Sequence, residues 1–364
     1  MNLITPINQL GYGIAGLNIA KALSKQCDLA VWAHGDRAEV GTPDDVPIIQ
    51  ELIGKRMVAD FDRPCLKIWH QHDMSMFVGK STHIGFPFFE LDEFSEIEKH
   101  SLNSLDKLFV TSQWGKDVAV KNLSLSEDNI HVVPLGVDSN IFSNNTTNDN
   151  DVTTFFNCGK WEVRKGHDIL CELFNRAFEP EDNVQLIMMT TNPFLNKEKD
   201  KEWRDLYTNT KMGSKIHFVD RVKTQPEVYN IMAKTDCGIF PSRAEGWNLE
   251  LLEMMACGKH VIATNYSAHT EFCDNDNALL VDITDKQIAY DGVWFNGNKG
   301  NWAKIDEPAK EKFVTHMRFV HEQKQNNKLD VNTAGIETAK KYTWDNTATK
   351  IMEYANVQKI PELV

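Results

Sequence analysis

Short apolar runs alternate with amphipathic stretches along most of this chain. In the first half, apolar runs at 2–6, 28–34, 65–69, 105–111 and 131–138 predict strands, a glycine-bearing segment at 10–16 leads into an amphipathic helix ending at Lys25, and 113–122 has helical spacing. The second half is more regular. Strands at 154–158, 184–189, 216–219, 237–240 and 261–263 are separated by helices over 168–178, 199–208, 227–233 and 249–257, with Gly258 as the stop. Such alternation implies a parallel sheet covered on both faces, so each half reads as a Rossmann-like, doubly wound α/β domain. Residues 143–151 are polar and aperiodic, the character of a flexible linker. The stretch 283–305 is aromatic and glycine-rich and reads as an elaborated loop, and 344–356 reads as a last helix.

Composition narrows the class. A chain of 364 residues suits two domains, and a hydrophobic content of 41% is enough to build two cores. The boundaries expected are 1–142, a linker over 143–152, 153–341, and a terminal segment 342–364. No basic segment followed by an apolar one stands at Met1 and no run approaches a membrane span, so a soluble, cytoplasmic protein without membrane insertion is expected. The seven cysteines are scattered without a C-x-x-C pair and read as reduced core residues. A net charge of −13 argues against nucleic acid as a partner.

The densest chemistry lies between Asp236 and Gly258, which reads as strand, loop and helix. Glu245, Glu250 and Glu253 crowd this turn, and Gly246 permits close approach of a ligand to the backbone. Amides at a helix start favour a phosphate, while Glu253, about one turn inside, is placed to accept bonds from hydroxyls. Phosphate and hydroxyls together describe a sugar nucleotide. A second loop, after the 154–158 strand, carries Lys160, Arg164 and Lys165. In the first half, Gly11, Gly13 and Gly16 give a Gly-x-Gly-x-x-Gly spacing that also admits an NAD-linked oxidoreductase, with Asp36 the one acid available for a ribose. His70-Gln71-His72-Asp73 stands at the end of the 65–69 strand, where open sheets place functional groups.

The motif Pro-Ser-x-x-Glu-Gly-x-x-Leu-x-x-x-Glu-x-x-Ala-x-Gly, from Pro241 to Gly258, resembles the signature of retaining GT-B glycosyltransferases of family 4 (glycosyl transferases group 1). His72-Asp73 is similar to part of that family's His-x-His-Glu-Pro segment, and Gly159-Lys160 with Lys165-Gly166 is similar to its phosphate loop. Thr111 to Trp114, Val133 to Asp138, and Tyr342-x-Trp344 add to the likeness, which covers nearly the whole chain. The resemblance implies a GT-B fold of two Rossmann-like domains facing a cleft, with the acceptor on the first, the nucleotide sugar on the second, and the last helix crossing back to the first domain. It implies that Lys160 and Lys165 grip the donor diphosphate with help from Arg164. Glu245, Gly246, Trp247, Asn248 and Leu249 would meet the donor sugar, with Asn248 standing where a Gly is common. Glu253 would hold the ribose, His72 would touch the sugar, Gly13 would face the phosphates, and Arg221 with Val222 would line the base. His72, Lys160, Lys165 and Glu245 are the expected catalytic set.

The activity so implied is transfer of a sugar from a nucleotide diphosphate sugar to an acceptor hydroxyl, with the anomeric configuration retained. A nucleotide-sugar epimerase and a non-catalytic sugar-nucleotide-binding protein are the alternatives. No metal and no cofactor are expected; the Asp-x-Asp triplet at 149–151 falls in the linker. Residues 1–140 hold 12 Lys and Arg against 19 Asp and Glu, a net of −7, so the acceptor is expected to be a saccharide or other soluble, weakly charged hydroxyl compound.

Overall fold

The computed structural model describes residues 1–145, 148 and 150–359. The chain divides into two compact units, Met1–Asp138 with Lys223–Gln225 and Lys341–Val364, and Ser139–Val222 with Pro226–Lys340. The expected linker at 143–152 thus lies within the second unit, and part of it, with 360–364, lies outside the described residues.

The first unit runs β1 (Asn2–Ile7), α1 (Gly11–Ser24), β2 (Ala30–Ala38), α2 (Val46–Gly54), β3 (Cys65–Lys67), β4 (His83–Gly85), α3 (Glu96–Asn103), β5 (Lys107–Val110), α4 (Gln113–Asn122) and β6 (Ile130–Val132). Its six strands are parallel in the order β2-β1-β3-β4-β5-β6. Two expectations need correction. The glycines at 11, 13 and 16 form no loop but the first turns of α1, where a Cβ on Gly16 would come within 2.1 Å of Thr5 Oγ1 and one on Gly13 within 2.4 Å of the Asn8 nitrogen. Gly13 and Gly16 let the helix pack directly on the end of β1. The strand expected over 131–138 stops at Val132, since Pro134 cannot donate to a ladder, and the chain continues extended to Val137, which pairs with Thr343.

The second unit runs β7 (Thr153–Gly159), α5 (His167–Ala177), β8 (Val184–Thr190), α6 (Lys197–Thr208), β9 (Ile216–Phe218), α7 (Gln225–Met232), β10 (Cys237–Phe240), α8 (Leu249–Ala256), β11 (His260–Asn265) and β12 (Leu279–Asp282). The antiparallel pair β13 (Lys286–Tyr290) and β14 (Asn296–Ala303) follows, then α9 (Glu307–Gln325) and α10 (Thr333–Lys341). The main sheet has the parallel order β12-β11-β10-β7-β8-β9. Its core is one cluster in which Phe155, Leu186 and Ile239 from the strands meet Leu170 and Phe174 of α5 and Phe313 and Met317 of α9. The stretch expected as a loop over 283–305 is mostly the β13–β14 hairpin.

The last helix, α11 (Trp344–Tyr354), belongs to the first unit. Its apolar face lies on α1, Thr347 Oγ1 donates to Pro134 O at 2.8 Å, and Lys107 Nζ donates to Tyr354 O at 2.6 Å. All seven cysteines are free, and six are buried.

Candidate functional site

In an open parallel sheet, ligands bind beyond the carboxyl ends of the strands at the place where strand order reverses. In the second unit that place lies between β7 and β10. The loops that follow these two strands, 160–166 and 241–248, carry most of the residues singled out from the sequence. Gly166 joins the two: it has φ +76°, and a Cβ there would fall 2.1 Å from Pro241 O. Only glycine suits both conditions.

The loops are welded by charge. Lys165 Nζ donates to Glu245 Oε1 at 3.0 Å, and Arg164 Nη1 donates to Glu245 Oε2 at 2.7 Å. The second Arg164 nitrogen bonds Glu162 Oε2 at 2.6 Å, and Lys160 Nζ lies 2.8 Å from Glu162 Oε1. Ser242 Oγ adds a bond to Glu245 Oε1 at 2.9 Å, and Ser267 Oγ accepts from the Glu245 amide at 2.9 Å. Burial alone would raise the Glu245 pKa, but Arg164 and Lys165 overcome it and hold the carboxyl well below its usual range. For Lys165, burial lowers and Glu245 with Glu250 raises, and the raising wins. Both groups are therefore ionised.

Behind this pair stands His167, fully buried at the start of α5. Its Nδ1 accepts from the Glu162 amide at 3.1 Å, which leaves Nε2–H to donate to Asn157 Oδ1 at 2.9 Å. Asn157 in turn donates to Ile239 O at 2.7 Å, so β7, β10 and the cationic loop share one neutral imidazole. Burial lowers the His167 pKa to about 3.

Helix α8 opens at Asn248, which has φ +85° and accepts from the Leu251 amide at 3.3 Å. Asn tolerates this left-handed geometry better than other residues with a Cβ and is also a good N-cap, so it fills a position where glycine would leave the helix uncapped. Its amide nitrogen donates to His269 Nε2 at 2.9 Å, and His269 Nδ1 donates to Thr264 O at 2.9 Å. Gly246, Trp247 and Leu249 are buried around this turn, with Trp247 against Phe272 at 4.7 Å between ring centres. Glu253, one turn on, is buried, and its carboxylate has no partner among the described residues. Burial first and Glu250 second push its pKa well above the usual carboxylate range. Arg221 is exposed and Val222 half-buried in the segment after β9, while Thr190 Oγ1, at the end of β8, is buried with no hydrogen-bond partner among the described residues.

Glu162, Ser242, Ser267, His167 and His269 were not singled out in the sequence. Glu162 had a visible signal, an acid set among the cations of Lys-Trp-Glu-Val-Arg-Lys-Gly. Ser267 and His269 had none, because a separate strand brings them in.

In the first unit, strand order reverses between β1 and β3. At those strand ends His72 is exposed and its ring stacks on His70 at 5.6 Å; His70 meets Tyr12 at 4.7 Å, and Trp69 lies on His34 at 3.9 Å. Gly13 is buried in α1 beneath the same edge. Among the described residues no group of three or more His, Cys, Asp or Glu side chains is placed to hold a metal ion, and no helix is long and apolar enough to cross a membrane. The 149–151 triplet starts at Asp149, which lies outside the described residues.

No curated sequence matches the chain. Residues 153–293, which apart from 223–225 belong to the second unit, match the family "Glycosyl transferases group 1". Among solved structures, a glycosyltransferase from Rickettsia africae is 15% identical with a TM-score of 0.68, over 98% of this chain and 97% of that one. HepE from Anabaena, solved with UDP and glucose, is 14% identical with a TM-score of 0.68, over 98% and 99%. Sucrose-phosphate synthase from Thermosynechococcus elongatus is 13% identical, again at 0.68, over 98% of both chains. With its two six-stranded parallel sheets, the chain has the GT-B fold, and its second unit carries the segment that matches the group 1 glycosyl transferases.

Proposed function

We propose that the protein is a retaining glycosyltransferase that moves a sugar from a nucleotide diphosphate sugar to an acceptor hydroxyl without a metal ion. The observation that carries the reading is the meeting of Lys165, Arg164 and Glu245 at the strand-order reversal, beside the N-terminus of α8 and the unpartnered Glu253. Lys160, Arg164 and Lys165 face Glu162 and Glu245, while Arg243 is paired with Asp168, leaving one positive charge and a helix start for a diphosphate. Lys160, one-third exposed, and Lys165 would take the departing diphosphate, which is stabilisation aimed at charge developing in the transition state. Arg164 would act indirectly, because its guanidinium is buried against Glu162, Glu245 and Ala244 O. Glu253 would accept from the ribose hydroxyls, Asn248 with the backbone from Gly246 to Leu249 would meet the sugar, Arg221 and Val222 would border the base, and His72 and Gly13 would serve the sugar and phosphates from the first unit. UDP and glucose in HepE support a nucleotide-sugar donor.

Titration calorimetry with UDP, GDP, ADP and NAD tests the donor. One diphosphate nucleotide is expected to bind; tight NAD binding with none of the others would overturn the reading. Turnover should persist in EDTA, and NMR of the product should show the donor's anomeric configuration.

A further inference from the structure

The β13–β14 hairpin is joined to the site at three places. At its base, the Ala303 amide donates to Arg243 O in the loop after β10 at 2.9 Å. Along its first strand, Lys286 Nζ lies 5.9 Å from the centre of the Tyr266 ring, which follows β11. At its tip, Trp294 meets Phe194, beyond the end of β8, edge to face at 5.7 Å, and Lys160 Nζ sits over the same Phe194 ring at 5.7 Å. The hairpin therefore reaches along the carboxyl edge of the sheet from the β11 side to the β8 side and ends beside a cation of the donor loop.

Its two faces differ. Ala289 and Trp302 are buried, and Trp302 packs on Phe295 at 5.1 Å. Residues of alternate parity point the other way: Ile288 and Tyr290, the latter 63% exposed, stand over Gly297, and Trp294 at the tip is 55% exposed. Asn296, the register partner of Tyr290, is also exposed, as is Asn298.

We propose that this ribbon binds a neutral oligosaccharide acceptor, at sugars removed from the hydroxyl that reacts. The inference rests on the glycosyl-transfer reading above, narrows the saccharide expected from the sequence to an oligosaccharide, and gives its outer sugars a surface on the second unit. Its warrant is the chemistry of the face. Exposed Tyr and Trp rings offer flat, rigid area for the C–H faces of sugar rings, at a low cost in side-chain entropy. The Asn amides each donate and accept, as hydroxyls require. Residues 286–303 contain two lysines and one aspartate, too little charge to select a nucleic acid or an anionic lipid surface. Asparagines and glycines interrupt the apolar side chains, so the face lacks the continuous apolar stripe that an amphipathic helix needs. The five-residue β13 extends roughly 17 Å, long enough to lie along more than one sugar unit.

The test uses the full chain on an array of neutral disaccharides and hexasaccharides of glucose, galactose, mannose and N-acetylglucosamine. At least one series should be retained, its hexasaccharide at least about tenfold more tightly than its disaccharide. Trp294→Ala and Tyr290→Ala should each lower that affinity about tenfold, and Trp294→Phe should recover most of it. In all three the thermal midpoint and the nucleotide titration should stay as in the parent. Retention of no series, or equal retention by the alanine variants, overturns the proposal. A protein that binds a nucleotide but no oligosaccharide refutes the ribbon alone; one that binds oligosaccharide but no nucleotide refutes the donor reading alone.

Discussion

Glu245 and Glu253 stand in one motif and are both buried, yet their environments drive them apart. Glu245 is ionised between Arg164 and Lys165, whereas Glu253 faces Glu250 and no cation, so its proton is hard to remove. A buried carboxyl without a partner is costly unless a ligand completes it. Glu253→Ala should therefore weaken binding of the preferred diphosphate nucleotide by about 0.5–1.5 kcal/mol for each hydrogen bond lost, with Glu253→Gln less damaging. Calorimetry reads both; an alanine variant that binds as the parent does would remove Glu253 from the site.

At the level of elements, the loop between β10 and α8 depends on a left-handed residue at 248. Replacing Asn248 by alanine loses the cap and the bond to His269 and strains the backbone, while glycine loses the same two bonds without the strain and should be the less damaging by roughly 1–2 kcal/mol. Urea denaturation separates the two; equal destabilisation would show that the backbone geometry does not matter. The β7–α5 and β10–α8 loops were readable from sequence because strand, glycine, charge and helix follow one another within single short segments. Helix α3 carries a local signal, the capping box of Ser95 and Glu98, with bonds of 3.1 and 2.6 Å. Strand β4 is three residues long, too short to show a period, and α9 has its apolar residues diluted by charge. The hairpin was hidden by its glycines and asparagines, which read as loop. What lay beyond local reading was contact between distant segments: Ser267 on the Glu245 amide and His269 on Asn248.

Across the molecule, burial lowers the pKa of six histidines, at 34, 131, 167, 269, 316 and 321. A lowered histidine takes up its proton more readily when unfolded, so stability rises with pH wherever the unfolded chain binds more protons. The contribution is complete above about pH 6.5 and is lost as pH falls toward each folded value, at up to about 1.4 kcal/mol per pH unit for each group. Glu253 acts in the opposite sense, one group against six. Urea midpoints should fall steeply from pH 7 to pH 5, most through the fully buried His167 and His269, and His167→Gln should flatten the slope. A profile that is level over this range would contradict the argument. The division of the chain has one more consequence. The second unit is built almost entirely from 139–340, whereas the first needs α11, which packs on α1 and buries Trp344, Ile351 and Met352. On the ribosome the later unit thus has all its strands before the earlier one has its last helix, and the nascent α1 must wait, with an apolar face open to chaperones, until more than 300 further residues have been made.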